Sequence, residues 1–213
     1  FTVTNTTTLV AVVPSTATTG PIAVMTLAGT GTSAASFTVI PAPTVASLQP
    51  ATLSIVRGAT GTLTVTLSAV QASVTIVTLT NSNTAVATVP GTVTVPANQL
   101  SAPVTVTALV PGQADITASL NGTSASSTIT VVNPVPAITA LSPVSLPSGS
   151  PNTTLTVTGQ SFVTGATVTF GSTALVTTFV NATSLTAMIP ATLLTAKGTV
   201  PVTVENPAPG GGG

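Results

Sequence analysis

An aliphatic residue alternates with threonine or serine along much of this 213-residue chain. The alternation is clearest in residues 62–67 (TLTVTL), 92–95 (TVTV) and 154–158 (TLTVT). Because successive side chains of a β-strand point to opposite faces, a period of two that is rich in β-branched residues predicts half-buried strands. Proline or glycine interrupts the pattern about every eight to twelve residues, a spacing typical of antiparallel sandwiches. The sequence therefore predicts an all-β chain.

Charge is almost absent from the sequence. Lys and Arg number 2, Asp and Glu number 2, and the net charge is zero. The four charged residues are Arg57, Asp115, Lys197 and Glu205. With no His, Cys, Tyr or Trp either, the usual general acids and bases, thiolate nucleophiles and soft metal ligands are missing. We expect no catalytic residues, no cofactor-binding residues, no metal ligands and no cofactor, and so not an enzyme; nucleic acid is also an unexpected partner, because no basic stripe is present.

Few residues could still carry chemistry. Lys197 lies in a predicted turn before a strand, where a solvated lysine is a simpler interpretation than a Ser–Lys dyad. Asp115 and Glu205 fall in different predicted domains, whereas glycoside hydrolysis needs two carboxylates about 5 to 9.5 Å apart. The same scarcity argues against a calcium-bridged joint, since Ca²⁺ needs several oxygen ligands. Residues 210–213 (GGGG) have no following helix and favour a flexible connector over a phosphate-binding loop.

The chain is apolar enough to fold. It is 43% hydrophobic with a mean hydropathy of +0.71, unlike a disordered polymer. No apolar run reaches about 18 residues, so no segment is expected to span a bilayer as a helix. The first residues have neither a basic nor an apolar signal region, so a secretion signal would lie upstream. We expect the phenylalanines to be core residues: Phe37, Phe162, Phe170 and Phe179.

Several residues could carry glycans. Asn-X-Ser/Thr sequons occur at Asn5, Asn121, Asn152 and Asn181, and chance explains most of them in a chain this rich in Asn and Thr. The Ser and Thr rows are candidates for O-linked glycans, because a nearly uncharged surface lacks the repulsion that normally keeps proteins apart.

Two proline-rich joints divide the chain. They are residues 40–43 (IPAP) and 133–136 (NPVP), and each follows a strand-like run. Because paired prolines favour an extended, semi-rigid connection, such joints would hold neighbouring domains at a defined spacing. The predicted domains are residues 1–41, 42–133 and 134–213, arranged as an extended rod.

The last segment carries an ordered set of motifs. They are Leu141-Ser142-Pro143, Gly149, residues 155–159 (LTVTG), Phe162, residues 168–171 (VTFG), residues 185–187 (LTA), Pro190 and residues 198–204 (GTVPVTV). This set resembles the IPT/TIG family of immunoglobulin-like domains. The resemblance implies that residues 134–213 form such a domain without its final strand, because residues 205–212 look like the stretch that leads into that strand.

The opening segment repeats the second half of the same pattern. Residues 5–14 (NTTTLVAVVP) parallel residues 181–190 (NATSLTAMIP), and residues 20–24 (GPIAV) parallel residues 198–202 (GTVPV). A Gly- and Ser-rich stretch then leads to a closing strand predicted at residues 37–39. The two outer segments are therefore an internal repeat, in which residues 1–41 resemble a partial IPT/TIG domain.

The middle segment is similar to the bacterial immunoglobulin-like repeats of large surface proteins. The similarity rests on Leu48-Gln49-Pro50, residues 61–65 (GTLTV), residues 78–83 (TLTNSN), residues 87–90 (ATVP), residues 93–96 (VTVP) and residues 113–118 (QADITA). Together the resemblances imply a slice of a tandem array that is extracellular or displayed on a cell surface, most simply a bacterial one.

Such arrays serve as stalks, adhesins or matrix components. We expect a structural component of an extracellular filament or surface stalk that assembles head to tail, and adhesion is a further role of such arrays. Its expected partners are copies of itself or neighbouring repeats of the same polypeptide. The alternative is a carbohydrate-binding or spacer module of a larger secreted enzyme, although no Trp or Tyr supplies a sugar platform. A third interpretation is a protein-binding module that uses a strand edge.

The ends look unfinished by this comparison. A piece of about forty residues cannot bury enough surface to be stable alone and leaves strand edges unpaired. Two interpretations stay open: the missing halves lie in a longer polypeptide, or a strand from a neighbouring copy completes an open domain.

Overall fold

Strands make up nearly all the regular structure of the computed structural model, which describes residues 1–14 and 16–212. The predicted all-β fold is confirmed. The chain divides into two units, Phe1–Ala42 and Pro43–Gly213.

The first unit consists of two antiparallel hairpins. Strand β1 (Thr2–Asn5) pairs with β2 (Thr8–Val10), and β3 (Gly20–Thr26) pairs with β4 (Gly29–Phe37). None of the described residues of this unit is buried. These hairpins therefore have no core of their own, and an isolated two-stranded hairpin is at best marginally stable in water.

The closing strand of this unit is longer than predicted and lies earlier in the chain. It runs from Gly29 to Phe37 rather than over residues 37–39, because Leu27 and Ala28 alone reverse the chain and the Gly- and Ser-rich stretch pairs with β3. The prediction that Phe37 is a core residue is wrong, since its side chain is 43% exposed.

The second unit begins with a complete sandwich of nine strands. These are β5 (Val45–Gln49), β6 (Thr52–Val56), β7 (Thr60–Leu67), β8 (Thr75–Asn81), β9 (Ala87–Thr88), β10 (Thr92–Val95), β11 (Ser101–Ala108), β12 (Gly112–Leu120) and β13 (Thr123–Val132). One sheet has the order β10-β8-β12-β13-β6 and the other the order β5-β7-β11-β9. We call this body the middle sandwich.

Alternation builds the core of the middle sandwich as predicted. In β7 the aliphatic residues Leu63, Val65 and Leu67 are buried, while Thr64 and the other polar positions are exposed or half-buried. Strands of the facing sheet contribute Ile116, Ile129 and Val131, all of them fully buried. Each such side chain contributes about 1.5–3 kcal/mol to folding when it leaves water.

A second sandwich follows, which we call the last sandwich. Its strands are β14 (Ala137–Ser142), β15 (Thr153–Gln160), β16 (Thr167–Phe170), β17 (Thr173–Ala174), β18 (Val176–Asn181), β19 (Ser184–Ile189) and β20 (Val202–Glu205), with a 3-10 turn at Ala191–Leu193. The sheets have the orders β14-β15-β19-β18 and β17-β16-β20.

The phenylalanines of the last sandwich lie in or against its core. Phe162 is fully buried, and Phe170 and Phe179 are half-buried against the same cluster, which confirms the prediction for these three residues. The position of the Phe162 ring also accounts for the glycine at position 159. A Cβ at that position would collide with the Phe162 ring and with the carbonyl oxygen of Ala137, so only glycine lets β14 and the ring approach this closely.

Candidate functional site

The four charged residues are dispersed over the surface. Arg57 and Asp115 belong to the middle sandwich, Lys197 precedes β20, Glu205 ends β20, and all four are exposed. Asp115 accepts a hydrogen bond from the Thr128 hydroxyl at 2.7 Å across the β12–β13 pair. Within residues 1–14 and 16–212 no three His, Cys, Asp or Glu residues lie close enough together to hold a metal ion. The charged side chains therefore do not converge on a site in the described chain.

The sequon asparagines form local hydrogen bonds. Asn5 Oδ1 accepts from the Thr7 amide and hydroxyl, both at 2.9 Å, and Asn181 Oδ1 accepts from the same two groups of Thr183 at 2.9 and 2.8 Å. Both hairpins shift register at the asparagine. The two turns that the predicted repeat aligns therefore share the same side-chain hydrogen bonds. Of the other two, Asn152 Oδ1 accepts from the Ala191 amide and Asn121 Nδ2 donates to the Pro43 carbonyl.

One asparagine is fully buried where the last sandwich meets its linker. Asn206 Nδ2 donates to the carbonyl oxygens of Pro134 at 2.8 Å and Ser161 at 2.7 Å, and its Oδ1 accepts from the Val163 amide at 3.2 Å. A buried amide without partners would cost free energy, and this one has partners for both of its ends. The side chain therefore ties the start of the linker to the loop after β15.

A second buried asparagine makes the reciprocal connection. Asn133, 6% exposed at the end of the middle sandwich, donates from Nδ2 to the Pro207 carbonyl at 2.7 Å and from its backbone amide to the Pro209 carbonyl at 2.8 Å. The Gly211 amide in turn donates to the Asn133 carbonyl at 3.1 Å. We call Asn133, Asn206 and the segment 207–211 the asparagine clasp.

Glycine is required within the clasp. Gly210 and Gly211 have φ of +73° and +74°, and a Cβ on Gly211 would lie 2.6 Å from the Asn206 carbonyl oxygen. The expected flexible connector is therefore, at these two positions, a hydrogen-bonded turn; Gly213 lies outside the described residues. The clasp holds the joint with hydrogen bonds between neutral amides.

Sequence reasoning missed Asn133 and Asn206. The available signal was that both are followed by proline, which gives the same Asn-Pro dipeptide at the two ends of the last segment. An asparagine before proline is ordinary in loops. Nothing in its local sequence shows that the side chain is buried, so the pairing becomes visible only in three dimensions.

The second feature of the last sandwich is an unpaired sheet edge. Strand β20 pairs with β16 on one side, and no strand of the described chain lies on its other side. The Gly171 amide donates to the Pro201 carbonyl, and register partners alternate between hydrogen-bonded and non-bonded pairs in an antiparallel ladder. The backbone groups of Thr203 therefore face β16, while those of Val202 and Val204 face the open edge.

A groove with a mixed polar and aliphatic lining lies at the start of this strand. It has a volume of about 320 Å³ and is lined by residues from the end of β14, around the 3-10 turn and up to the start of β20, including Leu141, Val144, Leu194, Val200 and Val202. Val144 is 86% exposed and Val200 is 40% exposed, so the groove is open to solvent. Aliphatic side chains share the lining with Ser145, Ser148 and Thr199, and no charged residue belongs to it, although Lys197 lies between the lining residues Ala196 and Gly198.

These features define a chain of tandem immunoglobulin-like β-sandwich domains. More particularly, residues 136–213 match the family model of the IPT/TIG domain, which confirms the resemblance found in the motifs of the last segment. A comparison with curated protein sequences finds no match. No helix in the described residues is both long enough and apolar enough to cross a membrane.

Several solved structures are similar in part. Domains 4 and 5 of the S-layer protein SbsC are 24% identical over 46% of this chain and 57% of that one, with a TM-score of 0.36. The I67–I69 fragment of the titin I-band is 16% identical over 72% and 56% of the two chains, with a TM-score of 0.33. The D0–D1 domain of intimin is 18% identical over 68% and 84%, also with a TM-score of 0.33. This chain therefore spans less than two thirds of the SbsC fragment and of the titin fragment.

Proposed function

We propose that this chain is a structural component of an extracellular filament or surface stalk, built from serial immunoglobulin-like domains that join head to tail. The proposal rests on two separate features of the described chain: the edge of β20 is open, and the hairpins of the first unit bury no residue. Unpaired strand edges and uncovered apolar strands are templates for further pairing. A chain with both features gains stability by joining another body.

The asparagine clasp supports a mechanical role. It links the end of β13 to the last sandwich through amide hydrogen bonds that belong to the backbone and to two buried side chains. Such a joint resists bending because any hinge motion must first break several buried hydrogen bonds, each of which is costly to leave unmade. Neighbouring domains would then transmit load through a stiff connection.

The surface chemistry fits an exposed fibre on the outside of a bacterial cell. Trypsin-like proteases need Lys or Arg, and the chain offers Arg57 and Lys197 alone. Without Cys the fold does not depend on oxidative conditions. His, Cys and Tyr are absent from the sequence and only Asp115 and Glu205 supply carboxylates, which supports a non-catalytic role.

Sedimentation velocity tests the proposal. We expect the purified chain to form larger species as its concentration rises, and we expect these species to persist in about 1 M salt, where charge interactions are screened within about 3 Å. The physical reason is that surfaces with exposed apolar side chains and almost no charge associate through the hydrophobic effect and backbone pairing. A chain that sediments as a monomer at every concentration would overturn the proposed function.

A further inference from the structure

We propose that the open edge of β20 and the adjoining groove accept strand β4 of a second copy of this chain. The inference rests on the proposed head-to-tail assembly and names the two surfaces that make the contact. The added strand would run antiparallel to β20 and would complete the sheet β17-β16-β20 as its fourth strand.

The middle sandwich shows what occupies this place when a sandwich is complete. Its strands β5-β7-β11 and β8-β12 follow the same sheet order and chain sequence as β14-β15-β19 and β16-β20, and a Leu-X-Pro motif stands at the end of the first strand in both sandwiches. By this correspondence β20 is the counterpart of β12. In the middle sandwich, however, β12 is followed in the sheet by β13, which pairs with it antiparallel along nine residue pairs, from Gly112↔Val131 to Leu120↔Thr123.

The strand β13 also fills the gap between the two sheets. It packs against β5, and its inward residues Ser127, Ile129 and Val131 are all fully buried. The counterparts of β5 and β12 are β14 and β20, and the groove opens between the end of β14 and the start of β20. The groove is therefore the space that the inward side chains of a missing strand would fill.

The edge of β20 offers the matching backbone groups. Val202 and Val204 direct their N–H and C=O groups away from β16, and their side chains are half-buried and buried. The next amide on that side, from Asn206, already donates to the Gly211 carbonyl at 2.8 Å. On this side of β20 the Asn206 amide is therefore bonded within the clasp, while the backbone groups of Val202 and Val204 have no strand partner among the described residues.

Strand β4 has the pattern that this edge needs. In the repeat, β3 corresponds to the residues that form β20, and β4 is the strand that pairs with β3. The register of the β3–β4 pair shifts at residues 33–35, where the Ser33 hydroxyl accepts from the Ile22 amide and donates to the Ala35 carbonyl. Beyond this bulge Phe37 would face the groove, while Ser36 would face solvent. Like the groove, β4 carries no charge. It has one edge free among the described residues, because β3 and β4 form a two-stranded sheet.

Disulfide cross-linking tests this contact, since the natural chain has no cysteine. Thr203 is exposed on β20, and its backbone faces β16, so it occupies a non-hydrogen-bonded position toward an added strand, where Cβ atoms are closest. Full-length chains carrying T203C are mixed with chains carrying T32C, A34C or S36C and oxidised gently. The matched control replaces T203C with T173C, an exposed threonine on β17 at the opposite edge of the same sheet.

We expect a shift from 20.5 kDa to twice that mass on a non-reducing gel for T203C with at least one of the three β4 variants, and no such shift for T173C. Assembly in sedimentation without a T203C cross-link would overturn this inference and leave the proposed function standing. Equal cross-linking of T203C and T173C would overturn it as well. Absence of any assembly would overturn both. If later residues of a longer polypeptide fill the groove, T203C will not cross-link to β4, and that result would also overturn this inference.

Discussion

At the scale of single residues, two buried asparagines make more of the hydrogen bonds between distant segments than any charged group does. Asn206 is fully buried and makes three side-chain hydrogen bonds, and Asn133 makes one from its side chain and two from its backbone. The charged residues are all exposed. The polar contacts that join the middle and last sandwiches are therefore made by neutral amides and backbone carbonyls.

Replacement of Asn206 by alanine tests the clasp. The change leaves the Pro134 and Ser161 carbonyls and the Val163 amide without their partner, and an unsatisfied buried group costs about 1–3 kcal/mol. We expect the last sandwich to lose about 3 kcal/mol of unfolding free energy, measured by urea denaturation followed by circular dichroism. N181A is the matched control, because Asn181 is exposed and bonds only within its turn; a loss no larger in N206A than in N181A would contradict the role of the clasp.

At the scale of elements, the strands differ sharply in how well they are covered. Strands β7, β12 and β13 each bury three alternate residues, whereas β1 to β4 bury none. Local opening costs little free energy where few apolar contacts must be broken. The first unit should therefore open far more often than the sandwiches do.

Hydrogen exchange measures this difference. In dilute, unassembled protein we expect the amides of β3 and β4 to exchange fastest among the strands and those of β12 and β13 slowest. On assembly the amides of β4, Val202 and Val204 should become protected, because they would gain ladder partners. Strong protection of β4 in the monomer would mean that the first unit already has a core, contrary to its exposure.

The alternating pattern predicts the elements well and the contacts between them less well. Residues 62–67 and 154–158 lie in β7 and β15 with the expected aliphatic face inward, because a period of two determines which side chains a sheet can bury. The extent of β4 was not predicted, since its Gly- and Ser-rich sequence has weak strand propensity and pairs only because β3 lies beside it. The clasp was not predicted because its partners are more than seventy residues apart in the chain.

At the scale of the whole molecule, the near absence of ionisable groups makes stability almost independent of pH. Stability changes with pH only through groups that bind protons differently in the folded and unfolded states. The only side-chain carboxylates are Asp115 and Glu205, and there is no His. The fold rests on aliphatic cores and backbone ladders, which do not titrate.

Thermal unfolding across a pH series checks this expectation. We expect the midpoint temperature to change by no more than about 3 °C between about pH 3 and pH 8, which corresponds to about 1 kcal/mol for a chain of this size. Calorimetry at constant ionic strength would provide the measurement. A shift above about 10 °C would show that titrating groups contribute far more than two exposed carboxylates can.

The central claim is that this chain builds a fibre by extending its own sheets. Cryo-electron microscopy of the native material tests it most directly. The account predicts a periodic filament in which a strand from the adjacent copy lies beside Val202 and Val204 and fills the groove next to them. Dispersed single particles, or a filament whose subunits leave that edge of β20 bare, would contradict it.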